Sequence, residues 1–468
     1  MLKQEVKFLN HFFKPKSIAV VGASRQPRKI GHVIFKNLLD LGFPGKVYPV
    51  NPNATTILNC PVFSSVSEIG SEVEMAVLAT PASMVPTNME DLAKSSVKAA
   101  IIISGGFKEI GEEGKKLEDE ALRIAQSAGI RLIGPNCMGI YDTYNYIDTL
   151  FLPRYRLKRP SRGDIAFISQ SGAFGAAVLD WAAELGVGIS KFVSLGNKAD
   201  IDEVEILRYL VDDPMSRCIA VYIEGTNRGR DFSEALTMVT KKKPVIVLKG
   251  GMTPEGESAA VSHTGILAGT PQIYEGMIKQ TGAIRAETAE ELLDFSVALS
   301  HQPLPIGERV MVLTNAGGFG VLTADSLSKL GLKLAKPDTE TVKQIASVLP
   351  QRVIVKNPLD LVGDADPERY RIALEALVKD ENIDSMIVII LVQTPEIDPE
   401  IVDVLTNVTS SYGKPLLVTT VGGELTQMLT KMFTESGIST YPTPERTAKA
   451  IKALTDYSHH QARSGANN

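Results

Sequence analysis

The sequence predicts the α/β fold class, with three Rossmann- or flavodoxin-like domains that are each built on a doubly wound parallel sheet. Its 468 residues are enough for about three domains of ordinary size. Three segments, 17–24, 164–175 and 309–320, open alike, with a short apolar run that ends in a small or glycine-rich turn. An amphipathic stretch ending in glycine follows each opening, and then comes a second apolar strand. This order is typical of a βαβ unit.

Further apolar runs predict the remaining strands. They span residues 75–80, 99–104, 131–134, 218–225, 244–250, 385–392 and 415–421. Such continuous runs are typical of strands that helices cover on both faces, and residues 111–129 are one predicted helix. Two polar stretches that contain proline, 152–164 and 300–309, are predicted linkers. The predicted domains are therefore 1–148, 149–303 and 304–468.

Composition argues against several classes of function. The formal net charge of −5 is mild, which argues against a nucleic-acid or anionic-membrane surface as the main partner. The three cysteines are scattered, so we expect neither a disulfide framework nor a metal site, and a reducing compartment is indicated. Charges interrupt the apolar runs near the N-terminus, and no apolar stretch approaches the ~20 residues of a membrane helix. We expect a cytoplasmic protein.

The first glycine turn favours a phosphate-rich ligand over a dinucleotide. It keeps only Gly22 and Gly31 of the G-x-G-x-x-G pattern, and Asn51 stands where NAD would want an acidic residue. The turn also contains three cations, Arg25, Arg28 and Lys29. Cations at a helix N-terminus suit the pyrophosphate and 3′-phosphate of coenzyme A. The alternative is that they are solvated loop charges.

Small residues follow the later strands of the first predicted domain. Pro81, Ser104, Gly105, Asn136 and Cys137 come after three of these strands. Because the carboxyl ends of parallel strands line the ligand crevice, we expect them along one edge, where a long thin ligand can approach the backbone. A nucleophilic Cys137 is the alternative, but no helper histidine lies nearby in sequence.

The second predicted domain offers an anion site and a carboxylate. The strand-to-helix turn consists of Ser169, Gln170, Ser171, Gly172 and Ala173. Backbone N–H groups and hydroxyls at such a turn bind anions, although plain N-capping by Ser171 explains the turn as well. Glu224 ends a later strand, and it is either a functional group or an ordinary loop charge.

His263 lies in the polar segment VSHTGILAG, residues 261–269. The other histidines are distant in sequence, which argues against a metal site, and the turn at 169–173 lacks the first glycine of a hydrolase nucleophile elbow. A nucleophile that accepts a phosphoryl group remains, with Glu224 orienting one ring nitrogen and the turn at 169–173 stabilising the phosphate. The alternative is a surface-loop histidine.

Together these motifs resemble the alpha subunit of ADP-forming acetyl-CoA synthetase (acetate–CoA ligase, ADP-forming), in the succinyl-CoA synthetase superfamily. The matching segments are VVGAS, GKVYPVNP, IGPNCMG, ISQSGAFG, SLGNKADID, IEG and SHTGILAG. They span the first two predicted domains. The third predicted domain, with NAGGFG (315–320) and NPLDL (357–361), looks like the flavodoxin-like ligase-CoA domain of this superfamily.

The resemblance implies a role for each matching residue. His263 is the phosphate carrier, Glu224 holds it, and residues 169–173 bind phosphate. Coenzyme A is expected at Gly22, Ser24, Lys46, Asn51, Pro81, Ser104 and Asn136, with the loop neighbours Ala23, Arg25, Lys29, Gly105 and Cys137. The implied reaction converts acyl-CoA, ADP and phosphate to carboxylic acid, CoA and ATP through an acyl phosphate and phosphohistidine. Acetyl-CoA is the expected thioester, although the sequence does not state the acyl group.

The resemblance also implies a partner, because three sheets leave no stretch for the ATP-grasp domain that binds nucleotide in this family. We expect a separate β subunit that carries Mg-ADP or Mg-ATP, in an α2β2 heterotetramer. One departure is the loop before the histidine, residues 250–263, which lacks the usual arginine. The competing hypotheses are a non-catalytic CoA-binding regulatory protein and the CoA-binding portion of a protein acetyltransferase.

Overall fold

The computed structural model describes residues 7–70, 72–258 and 270–465. Within these ranges the strands form three large sheets and one two-stranded hairpin. This architecture confirms the predicted α/β fold class. No helix of the described ranges combines the length and apolar character that crossing a bilayer requires.

The first sheet has five parallel strands in the order β2–β1–β5–β6–β7. The strands up to β7, with the β3–β4 hairpin, are Ser17–Val21, Lys46–Val50, Thr56–Ile57, Cys60–Pro61, Met75–Leu78, Ala99–Ile102 and Arg131–Ile133. Helices α1 to α5 are Asn10–Phe13, Ile30–Leu41, Val66–Ile69, Val85–Ala93 and Glu112–Ala128. The chain leaves β1 to one side for β2 and to the other for β5. The end of β1 is therefore the switch point at which doubly wound sheets bind ligands.

The second sheet has seven strands in the order β14–β13–β12–β10–β11–β8–β9. Strands β8 to β14 are Ile140–Asp142, Ile147–Asp148, Arg162–Ser169, Ile189–Ser194, Cys218–Ile223, Val245–Lys249 and Ile284–Ala286. Helices α6 to α9 are Gly172–Glu184, Glu203–Leu210, Gly229–Thr240 and Pro271–Thr281. Strands β10 to β13 pair in parallel, whereas β8 and β9 add an antiparallel edge that the sequence did not predict.

The third sheet has the order β16–β15–β18–β19–β20, and β17 pairs with β15. Strands β15 to β20 are Arg309–Thr314, Lys333–Leu334, Leu359–Asp360, Ser385–Ile390, Leu416–Thr420 and Thr440–Tyr441. Helices α10 to α16 are Ala289–His301, Gly317–Lys329, Thr339–Val348, Pro367–Leu377, Glu400–Ser411, Glu424–Glu435 and Pro444–Ser464. The second apolar strand predicted for the third βαβ unit, at 332–337, is only two residues long here.

The chain forms two compact units. One comprises residues up to Glu184 and those from Gly188 to Arg285, and the other comprises Leu185–Val187 and the residues from Ala286 onward. Helix α10 thus precedes the boundary predicted at 303 but belongs to the second unit, and β8–β9 precede the boundary predicted at 148 but pair in the second sheet. The three-domain division stays a prediction.

The first two sheets share one apolar core. The same buried cluster contains Ile18 and Val77 of the first sheet and Ile168 and Val221 of the second. A smaller cluster lies on the other face of the first sheet, and the third sheet has a core of its own. Because the core continues between the first two sheets, their carboxyl-end loops are held in a fixed relation.

Candidate functional site

The glycine turn after β1 is shaped by the close approach of helix α2. Gly22 has a φ of 87°, and its N–H donates to the carbonyl oxygen of Val50 at 3.0 Å. A Cβ atom on Gly31 would overlap the carbonyl oxygen of Gly22. Only glycine at 31 lets the first turn of α2 start directly against this loop, so its N-terminal N–H groups face the space above the sheet.

Asn51 fastens this turn to the end of β2. Its side-chain amide donates to the carbonyl oxygen of Ala23 at 2.6 Å. On the other side of the turn, His32 Nδ1 lies 2.7 Å from the carbonyl oxygen of Ser24. The amide of Asn51 thus supports the backbone of the turn, and the position gives no carboxylate for a ribose.

The three cations of the turn are exposed. Within the described ranges Arg25, Arg28 and Lys29 form no ion pair. Their charges are therefore available to a ligand with several phosphates, and the contact of Arg25 and Lys29 with CoA stays a prediction.

Lys46 lies away from the other predicted CoA residues. It is the first residue of β2, so it lies at the amino edge of the sheet, about 13 Å along the strand from Val50. Its Nζ atom pairs with Glu72 at 2.6 Å, and the hydrogen bond from this pair raises the pKa of Lys46. The prediction that Lys46 contacts CoA conflicts with this placement, because the crevice lies at the carboxyl edge.

We expect Lys46→Ala to leave the affinity for CoA unchanged, since the side chain is at the opposite edge from the crevice. Arg25→Ala, the matched variant in the glycine turn, should weaken CoA binding about tenfold, as expected when a charge-assisted hydrogen bond of about 1.5 kcal/mol is lost. Isothermal titration of both variants with CoA checks this pair. Equal affinities for the two would show that the turn does not contact phosphate.

The small residues at the other strand ends come together as predicted. Asn136 N–H donates to the carbonyl oxygen of Ser104 at 2.8 Å, and the Ser104 hydroxyl donates to the carbonyl oxygen of Thr80. A Cβ atom on Gly105 would lie 3.0 Å from Asn136 Oδ1. Pro81 begins the short 3₁₀ turn of residues 82–84 and is exposed. These loops form one low edge that lets a ligand approach the backbone.

Cys137 is buried beneath this edge. Its thiol donates to the carbonyl oxygen of Ile102 at 3.3 Å, and burial raises its pKa to about 12. The thiol therefore stays protonated at neutral pH, which removes the nucleophile alternative. Cys137 also offers no polar atom to a ligand, so its predicted contact with CoA is limited to its backbone.

Cys137→Ala should keep turnover close to wild type, because the thiolate that catalysis would need does not form. In the folded protein at pH 8, iodoacetamide should label the partly exposed Cys60 and spare Cys137. Peptide mass mapping reads both sites. Rapid labelling of Cys137, or loss of turnover in a stably folded Cys137→Ala variant, would contradict the structural role.

The predicted phosphate turn connects β10 to α6. Ser169 is fully buried, and its hydroxyl donates to the carbonyl oxygen of Ser171 at 2.6 Å. The Ser171 hydroxyl accepts from the N–H of Phe174 at 3.3 Å, so Ser171 does cap the helix. Gly172 and Ala173 begin α6 and are more open to solvent. Capping and anion binding are compatible here, since one side-chain cap leaves other N–H groups of the first turn unpaired.

Gln170 and Glu224 are joined across two strand ends. Gln170 Oε1 accepts the N–H groups of Glu224 at 2.8 Å and Gly225 at 3.2 Å. Gln170 is 4% exposed, and its Nε2 atom has no hydrogen-bond partner among the described residues. An unsatisfied buried amide is costly in free energy, so this N–H₂ group fits a bound anion as its acceptor.

The Glu224 carboxylate contacts a tyrosine of β12, the strand that precedes it. The Tyr222 hydroxyl lies 3.2 Å from Glu224 Oε1, and the Tyr222 ring stacks on Phe174 with centroids 4.0 Å apart. Burial and the neighbouring Glu224 carboxylate raise the pKa of Tyr222, so the hydroxyl remains a donor. Glu224 is 7% exposed, which makes its carboxylate suited to orienting a single partner.

The carboxyl edge of the first sheet, where CoA is predicted to bind, meets the predicted phosphate turn. Loop 134–139 is bonded to loop 194–199, with the N–H of Asn197 donating to the carbonyl oxygen of Pro135 at 2.8 Å. Gly196 has a φ of 58°, and a Cβ atom there would overlap the Pro135 and Asn136 carbonyl oxygens. A Cβ atom on Gly172 would lie 3.6 Å from Met138 Cβ. A thioester at the first edge and a phosphate on the turn would therefore be neighbours.

Sequence reasoning did not single out two buried lysines beside this site. Lys249 ends β13, and its Nζ atom donates to the Gly250 carbonyl and lies 4.7 Å from the Tyr274 ring centroid. Burial lowers the pKa of Lys249, while the Glu224 and Glu257 carboxylates act against this shift. Lys198 is the other, and it bonds to the loop after Glu224. Lys249 lies at the end of the predicted strand 244–250, and Lys198 lies in the turn after β11, so a charged residue at the end of an apolar run was the available signal.

Two further predictions concern His263 and the lack of a metal site. His263 and its segment 261–269 lie outside the described residues. In the described part of the chain, no three or more His, Cys, Asp or Glu side chains are grouped as metal ligands would be.

Three family models cover most of the chain. The model described as "CoA binding domain" matches residues 16–143, "Succinyl-CoA ligase like flavodoxin domain" matches 162–299, and "Ligase-CoA domain" matches 310–465. The chain is also 42% identical over 452 residues to the acetate–CoA ligase [ADP-forming] II subunit alpha of Pyrococcus furiosus, covering 95% of this chain and 97% of the relative. The chain belongs to the family of ADP-forming acetate–CoA ligase alpha subunits. The family predicted from the motifs is thereby confirmed.

Other members of the ADP-forming acetate–CoA ligase family differ in length. The acetate–CoA ligase [ADP-forming] I of Archaeoglobus fulgidus is 39% identical over 97% of this chain, but the match spans only 64% of that longer protein. Among solved structures, an acetyl-coenzyme A synthetase 1 of Ca. Korarchaeum cryptofilum in complex with phosphate and ADP superposes with a TM-score of 0.91 at 38% identity, covering 97% of this chain and 98% of that chain.

Proposed function

We propose that this chain is the alpha subunit of an ADP-forming acyl-CoA synthetase, an acid–thiol ligase. It converts acyl-CoA, ADP and phosphate to a carboxylic acid, CoA and ATP, with acetyl-CoA as the expected thioester. The observation that supports this best is the meeting of the two edges: loop 134–139 of the CoA side is hydrogen-bonded to loop 194–199 beside the phosphate turn. We infer that phosphate and a thioester carbonyl bound there would be neighbours, as their reaction requires.

The proposed chemistry begins with phosphate on the turn of residues 169–173. A phosphate oxygen attacks the thioester carbonyl, the C–S bond breaks, and the CoA thiolate leaves with an acyl phosphate formed. His263 then attacks phosphorus, the carboxylate leaves, and the histidine carries the phosphoryl group. Gln170 supports this proposal with its Nε2 atom, which has no hydrogen-bond partner among the described residues, and the buried Glu224 carboxylate supports it as the group that orients the histidine.

The proposed CoA site follows the carboxyl edge of the first sheet. The exposed Arg25 and Lys29 face the phosphates, and the low edge takes the pantetheine arm. The residues proposed to line it are Gly22, Ala23, Ser24, Arg25, Lys29, Asn51, Pro81, Ser104, Gly105 and Asn136, together with the backbone of Cys137. Lys46 is left out, because it lies at the opposite edge.

A partner completes the proposed enzyme. This chain matches 64% of the longer Archaeoglobus fulgidus relative, which supports the inference that the complete activity needs a further polypeptide. We infer a separate β subunit with an ATP-grasp domain that holds Mg-ADP or Mg-ATP, in an α2β2 assembly in the cytoplasm. The three domains 1–148, 149–303 and 304–468 are part of the same proposal.

The test is reconstitution with the candidate β subunit. Purified alpha chain, β subunit, acetyl-CoA, phosphate and Mg-ADP should release free CoA and form ATP in equal amounts. The alpha chain alone should bind CoA and form no ATP. If no acyl-CoA in a panel of acetyl, branched-chain and aryl thioesters supports ATP formation, the chain is a CoA-binding protein without this activity.

A further inference from the structure

The turn after β11 contains a buried lysine with an unusual set of partners. Lys198 has a φ of 55°, and its side chain is 5% exposed. Its Nζ atom donates to Glu203 Oε2 at 2.9 Å and to the carbonyl oxygen of Gly225 at 2.6 Å. We call Lys198, Glu203 and Gly225 the lysine clamp. It joins the end of β11, the start of α7 and the loop after β12.

The lysine clamp fixes the backbone that carries Glu224. The carbonyl oxygen of Gly225 accepts a hydrogen bond from Lys198, and the N–H of Gly225 donates to Gln170 at 3.2 Å. The N–H of Glu224 donates to the same Gln170 oxygen at 2.8 Å. The main chain at Glu224 is thus held between the phosphate turn on one side and the lysine clamp on the other.

The residue before the lysine faces the CoA edge. Asn197 Nδ2 donates to Glu109 Oε2 at 2.6 Å and to Glu118 Oε2 at 2.9 Å. The side-chain amide of Asn136 lies 3.3 Å from Asn197 Oδ1. Asn197 and Lys198 are consecutive in one turn, so this turn holds both the loop proposed to bind the thioester and the loop that carries Glu224. A shift of this turn would change the distance between them.

Stability alone is a poor explanation for the lysine clamp. The Glu203 side chain is 1% exposed, and its Oε1 atom has no hydrogen-bond partner in the described ranges. A buried ion pair with an unsatisfied oxygen repays little of its desolvation cost, and apolar residues of similar size are often as stable. What the ammonium group supplies that an apolar group cannot is a directional hydrogen bond to the Gly225 carbonyl.

We propose that Lys198 is a positioning residue that sets Glu224 at the correct distance from the bound thioester and phosphate. This inference rests on the proposed function. Lys198 acts on phosphoryl transfer through the backbone of Gly225 and does not contact a reacting atom. Binding of CoA, which depends on the first sheet, is unaffected.

The test uses the reconstituted enzyme with two variants. Lys198→Met/Glu203→Gln removes both charges, so no unpaired buried charge remains, and kcat should fall about 100-fold because a displacement near 1 Å is enough for such a loss. Lys198→Arg keeps the charge beside Glu203 but not a single compact donor, and kcat should fall about tenfold. In both variants KM for acetyl-CoA should stay within about twofold of wild type, as expected for a loss confined to the reacting geometry.

The matched control removes another buried ion-pair cluster from the same sheet. Lys191 is inside β11, away from its carboxyl end, and its Nζ atom lies 2.8 Å from Asp213 and 3.6 Å from Asp142, with side chains 2%, 5% and 0% exposed. Lys191→Met/Asp142→Asn/Asp213→Asn removes all three charges and should change the melting temperature while leaving kcat unchanged. A kcat near wild type in both lysine-clamp variants, or an equal loss of kcat in the control, overturns the positioning role. Absence of turnover in wild type overturns the proposed function, and this inference with it.

Discussion

Incubated with acetyl-CoA, phosphate and the β subunit but no nucleotide, the wild-type chain should gain one acid-labile phosphoryl group, and His263→Ala should gain none. Without the nucleophile the phosphoryl group has no acceptor, so turnover should fall by at least about 10⁴-fold. Glu224→Gln should reduce turnover by about 10–100-fold, because the buried carboxylate orients the imidazole without reacting. Intact-mass measurement reads the adduct, and coupled ATP formation reads turnover.

A nearby carboxylate serves as the control for this experiment. Glu255 is exposed in the segment that precedes the histidine, and Glu255→Gln should retain both the adduct and turnover. CoA affinity should be unchanged in all three variants, since the first sheet is untouched. A phosphoryl adduct that persists in His263→Ala would rule out this residue as the carrier.

Gly31→Ala should destabilise the first unit by about 1–3 kcal/mol and weaken CoA binding at least tenfold. The new methyl group would overlap the Gly22 carbonyl oxygen, so α2 must move away from the turn that holds Arg25 and Lys29. Fold strain and binding loss therefore arise from the same displacement. Chemical denaturation gives the free energy of unfolding, and calorimetric titration gives the affinity for CoA.

Gly276→Ala is the matched substitution for this prediction. Gly276 lies within α9, and nothing lies within 4 Å of the position of its Cβ atom. Alanine favours helix over glycine by about 1 kcal/mol, so this variant should be neutral or slightly more stable. If Gly31→Ala behaves like Gly276→Ala, the close approach of α2 to the turn is not the constraint that we describe.

The sequence was sufficient where chemistry follows strand order. Ser104, Asn136 and Gln170 each follow a strand within one to three residues, and a parallel sheet places such residues at its carboxyl edge. The sequence also indicated that Gly22 and Gly31 are structurally important, because both are glycines that flank the turn after the first strand. The structure adds the contact between them, which a spacing cannot show.

Other features depend on contacts between distant residues. Lys46 opens a strand, and in a parallel sheet the opening residue lies at the edge opposite the ligand crevice, so a match in motif was misleading. Lys198 lies in the matching segment SLGNKADID, but its importance arises from Gly225, 27 residues later. A single charged residue in a polar turn gives no sign that it is buried.

The antiparallel strands β8 and β9 also escaped prediction. They contain three and two residues, too few for any hydrophobic period, and β8 pairs with Lys191 and its neighbours about 50 residues later. The predicted boundary at 148 followed a change in composition toward basic and proline-rich sequence. The pairing of β8 with β11 crosses this change in composition, because backbone hydrogen bonds do not depend on side-chain type.

The apolar core shared by the first two sheets implies that they unfold in a single cooperative transition. A fragment cut at residue 148 would expose Ile140 and Ile147, which are fully buried in the intact chain, together with the apolar residues that face the second sheet. Such a fragment would aggregate or remain partly unfolded. The CoA-binding half of this molecule is therefore not an excisable module, and its binding energy stabilises the phosphate-binding half as well.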